Sequence, residues 1–197
     1  MTVLSRLGAV VLAAGQSRRM GGPNKLLRPF IGKPLVSHAF GLVGELALRD
    51  AIAVTGRDAV EVAEIAERSG VHTVHNPAFA DGMGTSIACG VRALAPDVEG
   101  IFIVLADMPA LMREDFERLA AELDVSRIVI PVSDGQRGHP VLFCQTFRSG
   151  LEQLHGDDGA KSIVRANERS VLELKGQHSR ILFDCDTADD FLCEMQK

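Results

Sequence analysis

The chain has no tryptophan and no tyrosine, so its only aromatic residues are nine phenylalanines. Proteins that bind single-stranded nucleic acid use aromatic side chains as stacking platforms, so a site of that kind is not expected here. The formal net charge of -5 also argues against general affinity for nucleic acid. A few local basic residues would therefore have to bind any anionic substrate.

Cysteines and long apolar runs are also scarce. The four cysteines form no Cys-x-x-Cys pair and no zinc site with histidine, so we interpret them as thiols in a reducing cytosol. No apolar stretch is long enough to span a bilayer. The short apolar run after Arg6 continues into a charged loop, which is not the pattern of a signal peptide. We expect a cytoplasmic protein with no membrane partner.

Two common phosphate-binding motifs are missing. The sequence has no Gly-Lys-Ser/Thr ending of a Walker A loop and no Gly-x-Gly-x-x-Gly dinucleotide fingerprint. A different loop follows the apolar run from Ala9 to Ala13, which predicts a buried strand. This loop contains Gly15, Ser17, Arg19 and Lys25. Glycine lets backbone N–H groups approach oxygen atoms closely, and basic side chains neutralise negative charge. A strand followed by glycine, serine and basic residues therefore predicts a polyphosphate site rather than a simple surface turn.

Apolar runs and helical periodicities alternate along the whole chain. This alternation predicts a three-layer α/β fold with a mostly parallel sheet, in a single domain over residues 1–197. The predicted helices cover 34–48, 58–68, a segment that ends at 94, and 113–123. The predicted strands cover 9–13, 51–54, 71–75, 100–106, 127–132, 171–174 and 181–183, and residues 136–143 turn into another strand.

Acidic residues follow two of these predicted strands. Asp107 comes directly after the unbroken apolar run 100–106, at the carboxyl edge where open α/β sheets bind ligands. A carboxylate there could hold Mg²⁺ against phosphate oxygens or could simply cap the next turn. Asp184 and Asp186 follow the predicted strand 181–183 and form a second candidate for metal binding.

The stretch from Leu12 to Gly21, together with Lys25, resembles a known signature. It is similar to the motif Leu-Ala-Ala-Gly-x-Ser-x-Arg-Met-Gly…Lys of the nucleotidyltransferases with a MobA-like fold. In that family the loop binds a nucleoside triphosphate. The resemblance therefore implies nucleotide contacts from Leu12, Ala13, Ala14, Gly15, Ser17, Arg19 and Lys25. Members that transfer guanylyl groups usually carry Gly at the position of Ala14, so this alanine points to CTP.

The resemblance continues along essentially the whole chain. Gly82 and Ser86 lie in an element similar to one beside the nucleotide, and the Leu-Ala-Asp-Met-Pro sequence around Asp107 is similar to the metal-binding element. Asp186 matches the position that joins Asp107 at Mg²⁺, whereas the role of Asp184 stays open. The family implies a Rossmann-like, GT-A-like nucleotidyltransferase fold, with Mg²⁺ as cofactor.

Two further elements are similar to the acceptor side of the family. A Gly-x-Pro-Val element holds His139 and Pro140, which we interpret as substrate contacts, although the residues alone also allow a general base or a turn residue at His139. The loop 156–161 implies acceptor contacts from Asp158, Gly159 and Lys161. Lys161 stands where Arg is usual, so the charge is kept but bidentate recognition is lost.

These residues together predict a nucleotidyltransferase. Arg19, Lys25 and Asp107 would be the catalytic residues, and we expect Lys25 to face solvent within the site. The acceptor's own phosphate would attack the nucleotide, which agrees with the lack of a convincing nucleophile–base pair. By resemblance, the acceptor is the molybdopterin cofactor, and a molybdenum hydroxylase or its chaperone is a possible partner. The alternatives are a cytidylyltransferase for a sugar or polyol phosphate, and a non-catalytic protein that carries a cofactor.

Overall fold

The computed structural model describes residues 3–15, 24–157, 159–186 and 190. The strands in these ranges are β1 Leu7–Ala13, β2 Pro29–Phe30, β3 Lys33–Pro34, β4 Asp50–Thr55, β5 His72–His75, β6 Gly100–Leu105, β7 Ile128–Ser133, β8 Gln136–Arg137, β9 Val141–Cys144 and β10 Val171–Leu174. The α-helices are α1 Val36–Glu45, α2 Ala59–Arg68, α3 Met83–Ala93, α4 Arg113–Ala121, α5 Arg148–Glu152 and α6 Lys161–Ala166.

The centre of the molecule is an eight-stranded sheet with the order β10-β7-β9-β6-β1-β4-β5, and β8 pairs with β7. Strand β1 pairs in parallel with β4 and β6, β4 with β5, and β7 with β10. Strand β9 lies antiparallel between β6 and β7. The short strands β2 and β3 form a separate hairpin.

The two faces of the sheet carry separate hydrophobic clusters, because successive side chains of a strand point to opposite faces. From β1, Ala9 and Val11 join the cluster that holds buried residues of α1, α2 and α4. Val10 joins the cluster formed with α3, α5 and α6. The helices therefore cover both faces, which confirms the predicted three-layer α/β fold.

Most of the predicted elements lie where the sequence placed them, but the predicted strand 181–183 is wrong. Residues Ser179–Leu182 form a 3₁₀ helix. The backbone N–H of Arg180 donates to Nδ1 of His178, and the carbonyl of Ile181 accepts from the backbone N–H of His139 at 3.0 Å. The local cap at His178 and the bond to the distant residue His139 thus replace the strand that the apolar pattern predicts.

Among the described residues, no helix is both long enough and apolar enough to cross a membrane.

Candidate active site

The candidate site lies at the edge of the sheet where β1, β4 and β6 end. Leu12 in β1 is in register with Val54 in β4 and with Leu105 in β6. One residue further, the backbone N–H of Ala106 still donates to the carbonyl of Leu12 at 3.3 Å. Asp107 is the next residue. The parallel pairing therefore brings Asp107 to the same edge as the loop after β1.

A backbone hydrogen bond brings the last acidic segment to Asp107. The N–H of Cys185 donates to the carbonyl of Asp107 at 3.0 Å, and Cys185 itself is fully buried. The backbone N–H of Asp186 donates to the carboxylate of Asp190 at 2.9 Å. As a result, carboxylate oxygens of Asp107, Asp184 and Asp186 all lie within 4.8 Å of one another.

Lys25 joins this cluster from the loop after β1. Its Nζ donates to Oδ2 of Asp107 and to Oδ1 of Asp186, each at 2.6 Å. Asn24 fixes the backbone at this point, because its Oδ1 accepts from the N–H of Leu26 and its Nδ2 donates to the carbonyl of Arg57. The side chain of Lys25 is only 13% exposed. Our expectation that Lys25 faces solvent is therefore wrong, since two carboxylates enclose its ammonium group.

The charges of the cluster shift the pKa values of its members. Burial lowers the pKa of Lys25, but Asp107 and Asp186 outweigh this effect and raise it above its ordinary value. Burial and the carboxylates of Asp186 and Asp107 raise the pKa of Asp184. Burial, followed by the charges of Asp190 and Asp107, raises the pKa of the Cys185 thiol to about 12. The thiol therefore stays protonated at neutral pH and is not a candidate nucleophile.

The donor atoms of the cluster fit a hard divalent cation. Asp107, Asp184 and Asp186 offer only carboxylate oxygens, which are the ligands that Mg²⁺ prefers. The exposed side-chain fractions of Asp107 and Asp186 are 18% and 34%. A cation held there would therefore remain accessible to a substrate from solution.

The remaining predicted contacts of the first loop are only partly described. Ala14 is 5% exposed and belongs to the cluster on the α3 face, next to Gly56, where an added Cβ would lie 2.9 Å from the Ala14 methyl group. The Ala14 methyl group therefore packs within this cluster, and the side chain has no polar atom that could contact a base edge. Gly15 is exposed. Ser17 and Arg19 lie outside the described residues.

The start of α3 packs tightly against the loop 155–157. The N–H of Gly84 donates to the carbonyl of Gly156 at 2.8 Å. A Cβ at Gly82 would lie 2.3 Å from the same carbonyl, and a Cβ at Gly84 would lie 2.7 Å from the carbonyl of His155. The two glycines therefore allow this loop to pack closely against α3. The N–H of Gly84 already donates a hydrogen bond within the protein. A nucleotide contact at Gly82 remains a prediction.

Ser86 in α3 is buried and belongs to a polar network. Nδ2 of Asn76 donates to the hydroxyl groups of Ser86 and Thr85, at 3.0 and 2.9 Å. Oδ1 of Asn76 accepts from the N–H of Ala78 at 3.0 Å. Ser86 therefore helps to join α3 to the loop after β5. Its contact with the nucleotide remains a prediction.

His139 lies close enough to Asp107 and Lys161 for both charges to affect its pKa. Its backbone N–H bonds to Ile181, and its Nδ1 is buried without a hydrogen-bond partner among the described residues. Burial lowers the pKa of His139, while Asp107 raises it and Lys161 lowers it further. The lowered pKa favours the neutral imidazole, and a contact between His139 and a substrate remains a prediction.

The loop that is predicted to contact the acceptor, residues 156–161, leads into α6. Gly159 is buried with φ +53° near Met83, and Lys161 is the exposed first residue of α6. Pro140 is buried beside His139. Asp158 lies outside the described residues. Contacts of His139, Pro140, Gly159 and Lys161 with an acceptor remain predictions.

The ion pair between Arg180 and Asp115 was not predicted from the sequence. Nε of Arg180 donates to both carboxylate oxygens of Asp115, at 3.1 and 2.9 Å. Asp115 is 2% exposed and also accepts from the N–H of Met112 at 2.8 Å. This pair ties the turn before the acidic segment to α4. No local pattern connects the two residues, although an Asp in the first turn of α4 was a visible helix-start signal.

A family of known proteins and two curated relatives match most of this sequence. Residues 9–171 match the MobA-like NTP transferase domain family. The chain is 26% identical over 195 residues to the molybdenum cofactor cytidylyltransferase of Escherichia coli (strain K12), with 98% of each chain covered. It is 31% identical over 202 residues to the purine catabolism protein PucB of Bacillus subtilis (strain 168), with 92% of each covered.

Solved structures are similar over the same extent. The crystal structure of Rv0371c from Mycobacterium tuberculosis H37Rv has a TM-score of 0.83 and 25% identity, covering 98% of this chain and 100% of that one. A complex of Rv0371c with manganese has a TM-score of 0.79 and 24% identity, covering 98% and 99%. On the strength of these matches, the chain belongs to the MobA-like NTP transferase domain family of nucleotidyltransferases.

Proposed function

We propose that the protein transfers CMP from CTP to the phosphate group of the molybdopterin cofactor and releases pyrophosphate. The observation that carries this proposal is the convergence of Lys25, Asp107 and Asp186, with two contacts of 2.6 Å. A basic residue from the loop after β1 and two carboxylates from elsewhere in the chain meet at one edge of the sheet. Triphosphate binding with a divalent cation requires this combination of charges.

Each side of the reaction has its own group of residues. Lys25, with Arg19, Ser17 and Gly15 of the same loop, would bind the β- and γ-phosphates. Asp107 and Asp186 would hold Mg²⁺, with Asp184 as a further candidate ligand. The bound cation would neutralise charge on the phosphate oxygens.

The acceptor needs no activated side chain. A phosphate monoester is already anionic at neutral pH, so one of its oxygens can bond to the α-phosphorus while the bond to the β-phosphate breaks. Pyrophosphate then leaves with the electron pair. Lys161 and the neutral imidazole of His139 would orient the acceptor phosphate, and Pro140 and Gly159 would shape its surroundings. The protein mainly supplies alignment and charge neutralisation.

Two observations support the choice of substrates. Ala14 occupies the position at which cytidylyl-transferring members carry alanine, and its methyl group packs beside Gly56. The molybdenum cofactor cytidylyltransferase of E. coli is similar over 98% of both chains. Lys161 in place of arginine leaves a sugar or polyol phosphate as the alternative acceptor.

A pyrophosphate-release assay tests the proposal. The purified protein would be combined with Mg²⁺, each of CTP, GTP, ATP and UTP, and either molybdopterin or a panel of sugar and polyol phosphates. We expect release with CTP and molybdopterin. Turnover with a sugar phosphate alone would support the alternative transferase, and no release with any pair would favour a non-catalytic carrier.

A further inference from the structure

Lys25 makes contacts that a lysine would not need if its only role were to bind phosphate. Its ammonium group lies between Asp107 and Asp186, at 2.6 Å from one oxygen of each. These carboxylates are also the candidate ligands of the divalent cation. Lys25 and the divalent cation would therefore bind to the same carboxylates.

The two cations compete for space as well as for charge. Metal–oxygen distances of about 2.0–2.6 Å are no longer than the nitrogen–oxygen distances of Lys25. A divalent cation on the same two oxygens would therefore need the place that Nζ fills. A cation on the remaining oxygens would face a full positive charge a few ångströms away, in a pocket where the side chain of Lys25 is 13% exposed and screening is weak.

We propose that Lys25 acts as an internal counter-ion that opposes divalent-cation binding until a triphosphate draws its ammonium group away from Asp107 and Asp186. This inference rests on the proposed function, because it takes the triphosphate as the competing anion. The triphosphate offers Lys25 a new partner and brings further oxygen ligands for the cation. Nucleotide and metal would then bind with positive coupling, and the cation would bind weakly on its own.

The coupling has a measurable size. If the arrangement with Lys25 between the carboxylates holds more than nine-tenths of the molecules, the apparent metal affinity falls about tenfold or more. Thermodynamic linkage requires the nucleotide affinity to change by the same factor when metal is added. Both quantities can be measured without turnover.

The experiment is a Mn²⁺ titration followed by the electron paramagnetic resonance signal of free Mn²⁺. Wild type would be compared with Lys25→Met, which keeps an unbranched side chain one atom shorter and removes its charge, and with Lys33→Met, which removes an exposed lysine. Without nucleotide, we expect Lys25→Met to bind Mn²⁺ at least about tenfold more tightly than wild type, and Lys33→Met to match wild type. With a non-hydrolysable CTP analogue, the advantage of Lys25→Met should disappear.

Several outcomes would overturn the inference. Equal or weaker Mn²⁺ binding by Lys25→Met would show that the lysine does not oppose cation binding. A lack of Mn²⁺ binding by every variant would show that the acidic cluster is not a cation site. If Lys25→Met does not fold, the lysine Cε resonances of ¹³C-labelled wild type provide the test. The Lys25 resonance should shift when Mg²⁺ and the analogue are added together, and an unmoved resonance contradicts the inference. The pyrophosphate assay on wild type judges the proposed function separately.

Discussion

The two halves of the molecule are assembled in different ways. Each half is named for the substrate that we propose it binds. The nucleotide half, defined as β1, β4, β5 and β6 with α1 to α3, consists of adjacent parallel strands joined by helices. The acceptor half, defined as β7 to β10 with α5, α6 and residues 175–186, contains the antiparallel strand β9 between β6 and β7. Its turns are held by contacts between distant segments. We therefore expect mutations in the acceptor half to disturb structure and acceptor binding together.

The largest expected effect is on the chemistry at the boundary between the halves. Asp107→Asn keeps the size of the side chain but removes a carboxylate that contacts Lys25 and is a candidate metal ligand. We expect pyrophosphate release to fall about 10³-fold, because electrostatic stabilisation of the transition state is lost. Steady-state assays with CTP would measure this fall.

The control for this substitution is Asp134→Asn, an exposed turn residue with φ +49°, which should keep wild-type activity. Full activity of Asp107→Asn would show that Asp107 is not a required metal ligand.

The next effect concerns the ion pair that joins Arg180 of the acceptor half to Asp115 of α4. Asp115→Ala removes the buried partner of the Arg180 guanidinium, whose side chain is 15% exposed, and leaves it with the exposed carboxylate of Glu114 at 3.4 Å. We expect a loss of about 3 kcal/mol in the free energy of unfolding. Urea denaturation followed by circular dichroism would measure it.

Arg6→Ala is the matched comparison, because the Arg6–Glu99 pair is about half exposed on both sides. That substitution should cost less than about 1 kcal/mol. Equal losses for the two variants would show that the Arg180–Asp115 pair does not anchor the acceptor half.

A pair of glycine substitutions compares the two halves directly. In Gly138→Ala the new Cβ would lie 2.4 Å from the backbone carbonyl of Ile181, so we expect a loss of about 1–3 kcal/mol and a higher KM for the acceptor. In Gly41→Ala, within α1, the Cβ meets nothing within 4 Å. This variant should gain about 0.5–1 kcal/mol.

Thermal and urea denaturation would give the stability of both variants, and initial rates would give the KM values. A Gly138→Ala protein as stable as wild type, with an unchanged acceptor KM, would show that this turn is not constrained as the structure indicates.

The smallest expected effect is a pH dependence from His139. Burial lowers its pKa in the folded protein, so the unfolded chain binds the proton more readily. The free energy of unfolding should therefore rise as pH increases towards the unfolded pKa of about 6.5 and stay level above it. His139→Asn should reduce this slope.

Urea denaturation between pH 5 and pH 8 would measure the slope, with His155→Asn, an exposed position, as the control. An unchanged slope in His139→Asn would mean that the imidazole is not buried in the folded protein.

The sequence predicted the nucleotide half well because its signals are local. The apolar run before Asp107 and the helical periodicity of α1 and α2 lie within single elements. The acceptor half was harder to predict, since the 3₁₀ turn Ser179–Leu182 follows from a hydrogen bond with His139 and an ion pair with Asp115. Such contacts join residues far apart in the chain, and no local pattern encodes them.

The same distinction applies to the candidate site. The sequence indicated Lys25, Asp107 and Asp186 as individual residues, and the structure brings all three together. It could not show that Lys25 is enclosed by the carboxylates, because that depends on the Cys185–Asp107 backbone hydrogen bond. Asn76 was missed for a similar reason, since its partners Thr85 and Ser86 lie on the next helix.

The central claim is that the bond between the α- and β-phosphates of CTP breaks and the nucleotidyl group goes to a phosphate acceptor. The most direct measurement supplies the protein with Mg²⁺, molybdopterin and CTP labelled with ³²P at either the α- or the γ-position. We predict that the α-label enters the cytosine dinucleotide product and that the γ-label appears in pyrophosphate. A γ-label released as orthophosphate or transferred to the acceptor, with the α-label left on CDP, would contradict the account.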